Sequence, residues 1–352
     1  MILHSTLPKW GMRLFNVLGV FKVGVLLFIV FSGFAALDGR LKIEETPTNF
    51  VDSFKWRGHG GGVYNYASAL LRIVYSYKGW ENLNYVLGEV RQPQKTLKIA
   101  APLAVSLATV LYVLANVAYF AAIPAQELIE SDVVVAGVFF KNVFGDTAGG
   151  RALPAFVAIS NLGNVLAVSF AHARVNQEFA KEGILPFSKF WASNKPFNAP
   201  AASLFLHWIV TMIVLFAPPP DSEAYGFITD LYTYPGAWIN TFVPLGLIYL
   251  QYSKKEQWSS PWKSLLPVTL LYAASNAFLA IVPFIPPDEK ETTYPHYVFP
   301  LVGISVLLLG AAYWVYWAVV KPAIGGYKIV TERFVEDGNE VVRHRKVKNK
   351  RA

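Results

Sequence analysis

Eight stretches of roughly twenty residues carry little charge, and they limit the fold more than any other feature of this chain. They are 17–37, 64–88, 100–123, 153–173, 201–217, 228–250, 265–283 and 298–320. At ~1.5 Å rise per residue, each is long enough, or nearly so, to cross a hydrocarbon layer ~30 Å thick as a helix. The fifth is the shortest, and Pro283 interrupts the seventh. Only 15% of the 352 residues are charged, where a soluble domain carries about 25%. The sequence therefore predicts an all-α integral membrane protein with eight transmembrane helices, a cytoplasmic segment 1–16 and a basic cytoplasmic tail 321–352.

Lysine and arginine set the orientation. Of 31 such residues, 21 lie in segments 1–16, 89–99, 174–200, 251–264 and 321–352, and 7 lie in the alternate segments 38–63, 124–152, 218–227 and 284–297. The positive-inside rule places both termini in the cytoplasm, and an even number of crossings requires the same. The net charge of +8 sorts by loop in this way and is no nucleic-acid signature. The chain has no cysteine, which excludes disulfides, thiolate metal sites and cysteine nucleophiles. No H-E-x-x-H, paired-carboxylate or nucleophile–base spacing appears, so neither an enzyme nor a cofactor or metal is expected. The string His59-Gly60-Gly61-Gly62 would suit an oxyanion hole only beside a G-x-S-x-G, which is lacking, and reads as a flexible entry to the second span. Lys9 and Arg13 resemble a signal-peptide n-region, but the first span is too long for an h-region, carries Lys22 and lacks a cleavage site. The tail, ending HRKVKNKR, is expected to be disordered. It reads as a positive-inside anchor, or as a site for anionic lipid or for trafficking and ubiquitin adaptors.

The second span is polar in its middle, at Ser76-Tyr77-Lys78-Gly79-Trp80-Glu81-Asn82. Hydrocarbon offers no hydrogen-bond partners, so such a segment persists only against protein or a water-filled cavity. A helix broken at mid-membrane, with its freed backbone turned to a cavity, is how many secondary transporters build a substrate site. Val133–Phe144 is too short to span and reads as an outer helix lying over the bundle like a lid. Loop 174–200 reads as a short charged helix, a Gly-Ile-Leu-Pro turn and an aromatic stretch. Ser160, Asn161, Gly163 and Asn164 form a polar stripe that serves either helix contact or substrate lining. Asp230 reads as an N-terminal cap or a proton site. His172 and His207 are each lone histidines, and Arg72 is expected near the outer surface.

The run from Tyr75 to Ile123 resembles the sixth and seventh helices of the L-type amino-acid transporters, within the amino-acid–polyamine–organocation superfamily. The resemblance rests on Tyr75-Ser76-Tyr77-Lys78-Gly79-Trp80, Asn84-Tyr85-Val86, Glu89, Gln92-Pro93 and YVLANVAYF at 112–120. It extends to Arg174, Phe179, Lys181-Glu182-Gly183 and Pro186. GWENLNYVLGEVRQP and DLYTYPGAWIN at 230–240 are most similar to fungal high-affinity methionine permeases. The resemblance implies a leucine-transporter-like fold, with the eight spans as helices five to twelve: the second inverted repeat and the C-terminal pair. Helices one to four would then be absent, as in a truncated gene model or a degenerate gene.

It also implies transport of a neutral amino acid, methionine or a similar large apolar one, by alternating access in the plasma membrane. The alternative is a truncated, non-transporting sensor or interaction protein. Tyr75 aligns with the aromatic that closes over substrate, and is otherwise an ordinary packed ring. Ser76, Tyr77, Lys78 and Gly79 align with the unwound stretch that meets the substrate ammonium. The Lys78 cation departs from the small residue common there, so its side chain is expected to point away or snorkel. Glu81 and Asn82 would open the second half-helix, as substrate contacts or as caps, and Asn164 would line the substrate path. Lys22 is the register match for a helix-five lysine that takes the place of a coupling cation; the other reading is snorkelling from the inner end.

Overall fold

Proline at the first position of a helix loses nothing, because its missing N–H would have no partner there. Two of the longest helices begin this way. The computed structural model describes residues 1–41, 43, 46–53, 55, 62–87, 90, 92–131, 135–195, 197–216, 224–255, 258–260, 263–286, 295–336 and 339–348. After a one-turn helix α1 (Ile2–Thr6), α2 runs from Pro8 to Leu37. Helices α3 (Val63–Ser76) and α4 (Asn82–Tyr85) flank the polar interruption. Next come α5 (Pro93–Ala122), α6 (Ala125–Glu130), α7 (Val135–Phe144) and α8 (Asp146–Lys181). They are followed by α9 (Ser188–Trp191), α10 (Ala201–Phe216), α11 (Ala224–Tyr252) and α12 (Leu266–Ile281). A 3₁₀ turn, Val282–Phe284, carries Pro283. Helix α13 (Val298–Val315) passes through a π turn, Tyr316–Val320, into α14 (Lys321–Gly325).

Among the described residues, five helical stretches are long and apolar enough to cross a membrane: Pro8–Leu37, Pro93–Ala122, Arg151–Lys181, Leu266–Phe284 and Val298–Gly325. Several helices overrun the charge-poor runs. The run 153–173 lies inside the longer Asp146–Lys181, because polar flanks keep the i to i−4 ladder outside an apolar layer as readily as within it. The tail departs from expectation. Instead of being disordered, it forms strands β1 (Tyr327–Glu336) and β2 (Asn339–Lys348), paired in a two-stranded sheet.

The chain divides into two compact units. One comprises Met1–Arg57, Gly79–Thr211 and Glu332–His344. Its core is Ile29, Ala118, Ala122, Ile123, Phe139, Phe140 and Leu153, drawn from α2, α5, α7 and α8. Helix α7 is thus more than a lid, since Phe139 and Phe140 are buried in that core. Gly33 of α2 lies against Ala118 of α5 so closely that a Cβ on it would overlap Ala118 Cβ and Cα. Gln177 is fully buried near the end of α8. Its Nε2 donates to Asn194 Oδ1 at 2.6 Å and to the Ala192 carbonyl at 3.2 Å, while Arg174 Nη1 donates to its Oε1 at 3.0 Å. The other unit comprises Gly58–Lys78, Met212–Thr331 and Arg345–Ala352, with Leu71, Ala237, Leu279 and Ala280 as its core. There Tyr234 is buried, and its hydroxyl donates to the Ala280 carbonyl at 2.7 Å.

A buried imidazole holds the N-terminal turn of the first unit. His4 is 1% exposed; its Nε2–H donates to the Leu166 carbonyl at 3.0 Å, and its ring sits on Gly11 between Phe15 and Phe170. Nδ1 has no partner among the described residues. Burial lowers its pKa below the ordinary imidazole value, against the raising effect of the Leu166 hydrogen bond. A depressed histidine pKa favours docking fully above ~6.5 and loses that contribution as pH falls through the docked value. A fluorophore on Ile2→Cys should therefore report release of α1 as pH falls from about 7.5 to 5. His4→Leu should remove that response, and an unchanged response would refute the assignment.

Candidate functional site

Glycine is the residue that tolerates positive φ, and Gly79 has φ +114°. Before it, Ser76 Oγ donates to the Ile73 carbonyl at 2.7 Å, Tyr77 N to Val74 O at 3.2 Å and Lys78 N to Tyr75 O at 2.9 Å. These i to i−3 backbone bonds tighten and end α3. After it, Asn82 N donates to Gly79 O at 3.1 Å and restarts the helix. The Gly79 N–H donates to Glu81 Oε2 at 3.0 Å. Glu81 is the N-cap residue of α4 yet makes no side-chain cap bond to it, because its carboxylate is turned back to Gly79. Helix α4 is one turn, Asn82–Tyr85, where the sequence suggested apolar helix to 88. Residues 88 and 89, with Glu89, and 59–61 of the glycine string lie outside the described residues.

On the α3 side, the Tyr75 ring meets Tyr232 edge-on, with centroids 6.3 Å apart. Lys78 Nζ lies 5.4 Å from the Tyr232 centroid, within cation–π reach. It also fills the space beside Gly236, where a Cβ would come within 2.9 Å of Nζ. The ring face of Tyr232 and the missing side chain at Gly236 thus give the Lys78 ammonium its place on α11. Asp230 is not an N-cap. Helix α11 begins at Ala224, so Asp230 lies inside it and lines a cavity of about 10 Å³ with Tyr64, Ser68 and Phe299. Arg72 is exposed.

In the first unit, Lys22 and Asn164 line one cavity of about 400 Å³, between α2 and α8, together with Phe15, Asn16 and Gly163. Lys22 Cε would be 3.6 Å from a Cβ on Gly163, so the side chain turns toward α8 rather than along α2 to its inner end. The polar stripe on α8 splits by role: Gly163 is buried against Leu18, while Asn164 is exposed to the cavity. His172 and His207 are not lone. Their ring centroids are 5.1 Å apart, and Tyr85 meets His172 edge-on at 5.9 Å. Among the described residues, no three His, Asp or Glu side chains converge to hold a metal ion.

The expected site residues thus fall into three groups. Gly79, Glu81 and Asn82 share the turn; Ser76 and Tyr77 end α3, with Tyr75 against Tyr232; Lys22 and Asn164 line one cavity. Sequence reasoning missed Tyr232 and Gly236 as partners of this region. Both lie in DLYTYPGAWIN, a string noted for its resemblance and not for any contact.

Membrane-length apolar helices and a helix opened at a glycine define an integral membrane protein of the permease class. The chain belongs to the amino acid permease family, which it matches over residues 1–307. It is 38% identical to the high-affinity methionine permease of Saccharomyces cerevisiae over 96% of its own length and 59% of that protein. It is 25% identical to the low-affinity methionine permease of the same yeast, over 96% of the chain and 62% of that protein. It is 30% identical to the human cystine/glutamate transporter, over 88% of the chain and 58% of that protein. The chain spans about three fifths of the length of these relatives. Their names are those of permeases and transporters, not of enzymes.

Proposed function

We propose that this chain carries part of the pathway by which a neutral amino acid, methionine or a similar large apolar one, crosses a membrane by alternating access. The plasma membrane is the site we propose, with both termini cytoplasmic. The observation that carries the reading is 38% identity to a high-affinity methionine permease across 96% of the chain. The opened helix supports it chemically. The turn at Gly79 interrupts the backbone ladder, and Tyr75 lies beside it in sequence to cover a bound side chain.

In this reading Tyr75, Ser76, Tyr77, Gly79, Glu81, Asn82 and Asn164 form the substrate path. The Lys22 ammonium stands in for a coupling cation, so transport needs no sodium. No bond is made or broken in the cargo; the work is differential binding between two conformations. The test is labelled methionine uptake in cells lacking their own permeases, with this chain and an N-terminally extended form. Uptake by the extended form in sodium-free medium is expected. If neither form moves any neutral amino acid, the transport reading fails; if uptake vanishes without sodium, the role of Lys22 fails.

A further inference from the structure

The turn between α8 and α10, within the first unit, carries its phenylalanine rings on the outside. From Gly183 to Pro200 the sequence holds three phenylalanines, one tryptophan and two lysines, and no acidic residue. Phe187 is 83% exposed, Phe190 58% and Phe197 54%. Lys189 and Lys195 are exposed too. Among the described residues neither lysine pairs with a carboxylate. Nothing in the transport reading uses these side chains.

The rings stand on a braced frame. Gln177 of α8 holds Asn194 Oδ1 and the Ala192 carbonyl, and Ser203 of α10 holds the Trp191 carbonyl at 2.7 Å. Ala199 N donates to the Asn194 carbonyl at 3.0 Å. The Trp191 ring backs Phe190 edge-on, with centroids 4.7 Å apart. Phe187 has φ +55°, a region where a bulky residue is an outlier. Phe190 N, donating to its carbonyl at 2.8 Å, helps to fix it there. Backbone strain of this kind persists where the surroundings impose it, and it gathers at functional sites. Here it serves to present a ring outward.

We propose that this turn is a binding surface for anionic phospholipid. Phe187, Phe190 and Phe197 enter the boundary between headgroups and acyl chains, and the ammonium groups of Lys189 and Lys195 bind the acidic headgroups. The tethers of the turn favour lipid over a protein partner. The charge-poor run 153–173 ends four residues before Gln177, a distance of about 6 Å along a helix and about the depth of one headgroup layer. Helix α10 is apolar from Ala201 onward, and Ser203 lies in its first turn. Both tethers thus keep the rings near the edge of the hydrocarbon. Apolar rings interleaved with lysines are what segments lying in that interface carry. With no carboxylate in the turn, its charge complements an acidic leaflet, and each lysine near such a surface favours it by a factor of about five. The inference needs the chain to be an integral membrane protein of its family, and does not need it to transport.

The test uses the full chain in phosphatidylcholine vesicles. Because the chain has no cysteine, a bimane fluorophore on Phe190→Cys, or separately on Phe187→Cys, reports one position and leaves the other rings in place. Bromine on the acyl chains of either phosphatidylcholine or added phosphatidylserine quenches the fluorophore on contact. Quenching is expected at both positions, at about fivefold less brominated phosphatidylserine than brominated phosphatidylcholine. Lys189→Gln with Lys195→Gln should bring the two lipids level while quenching persists. Equal quenching by the two lipids with both lysines present would overturn the assignment to anionic lipid, as would a preference that survives the double variant. No quenching by either lipid at either position would overturn the surface itself.

Discussion

Replacing Gly79 by valine is expected to cut methionine uptake by the extended form about 5–150-fold, with the protein still made and inserted. The reason is backbone conformation rather than space. Gly79 has φ +114°, a region where a β-branched residue is a true outlier. A Cβ there would meet only Asn82 Nδ2, at 3.7 Å, an ordinary van der Waals contact. Holding valine in this turn costs ~1–3 kcal/mol. The protein escapes that cost by leaving the conformation in which Gly79 N–H reaches Glu81. Asparagine, which tolerates positive φ better than valine, should lose less. Equal uptake by the valine variant and wild type would show that the turn at Gly79 is no part of the transport cycle.

The second large effect is on stability. Gly33→Ala should destabilise the protein by ~1–3 kcal/mol, read as a fall in Tm in detergent. The added Cβ would overlap Ala118 Cβ and Cα. The backbone atom cannot rotate away, so α2 and α5 must separate. Between helices in a bilayer, close packing of small residues provides much of the association, and the core of Ile29, Ala122, Ile123 and Phe140 sits on the same contact. Gly33→Ala with Ala118→Gly should recover part of the loss, because it removes the clash with Cβ but not that with Cα. A Tm unchanged by Gly33→Ala would mean that this contact is looser than the structure describes.

Most helices were legible because a charge-poor run near twenty residues has few other solutions. Their ends were not: α2 begins at Pro8 and α8 reaches Lys181, since composition records where hydrocarbon would lie and not where hydrogen bonding stops. The hairpin was hidden by its own charge. In Tyr327–Glu336 and Asn339–Lys348, basic residues invite a reading of disorder, and the alternation with Ile329, Val330, Val341 and Val347 is broken. Gly79 was legible from polarity plus glycine, and Glu81 as the start of a half-helix. That the Glu81 carboxylate turns back to Gly79 needed coordinates. Asp230 was misread because the run 228–250 starts later than helix α11. His172 and His207 were misread because a pairing between two helices leaves no mark in either one.

Gln177 ties the end of helix α8 to the turn that follows it. Its amide holds Ala192 and Asn194 from a fully buried position, and Ser203 Oγ holds the Trp191 carbonyl at 2.7 Å. The polar turn just beyond is thereby fastened to the apolar rod above it. Because the chain has no cysteine, one introduced at exposed Lys195 would carry a spin probe on that turn. Displacement of α8 would then be readable from that exposed turn.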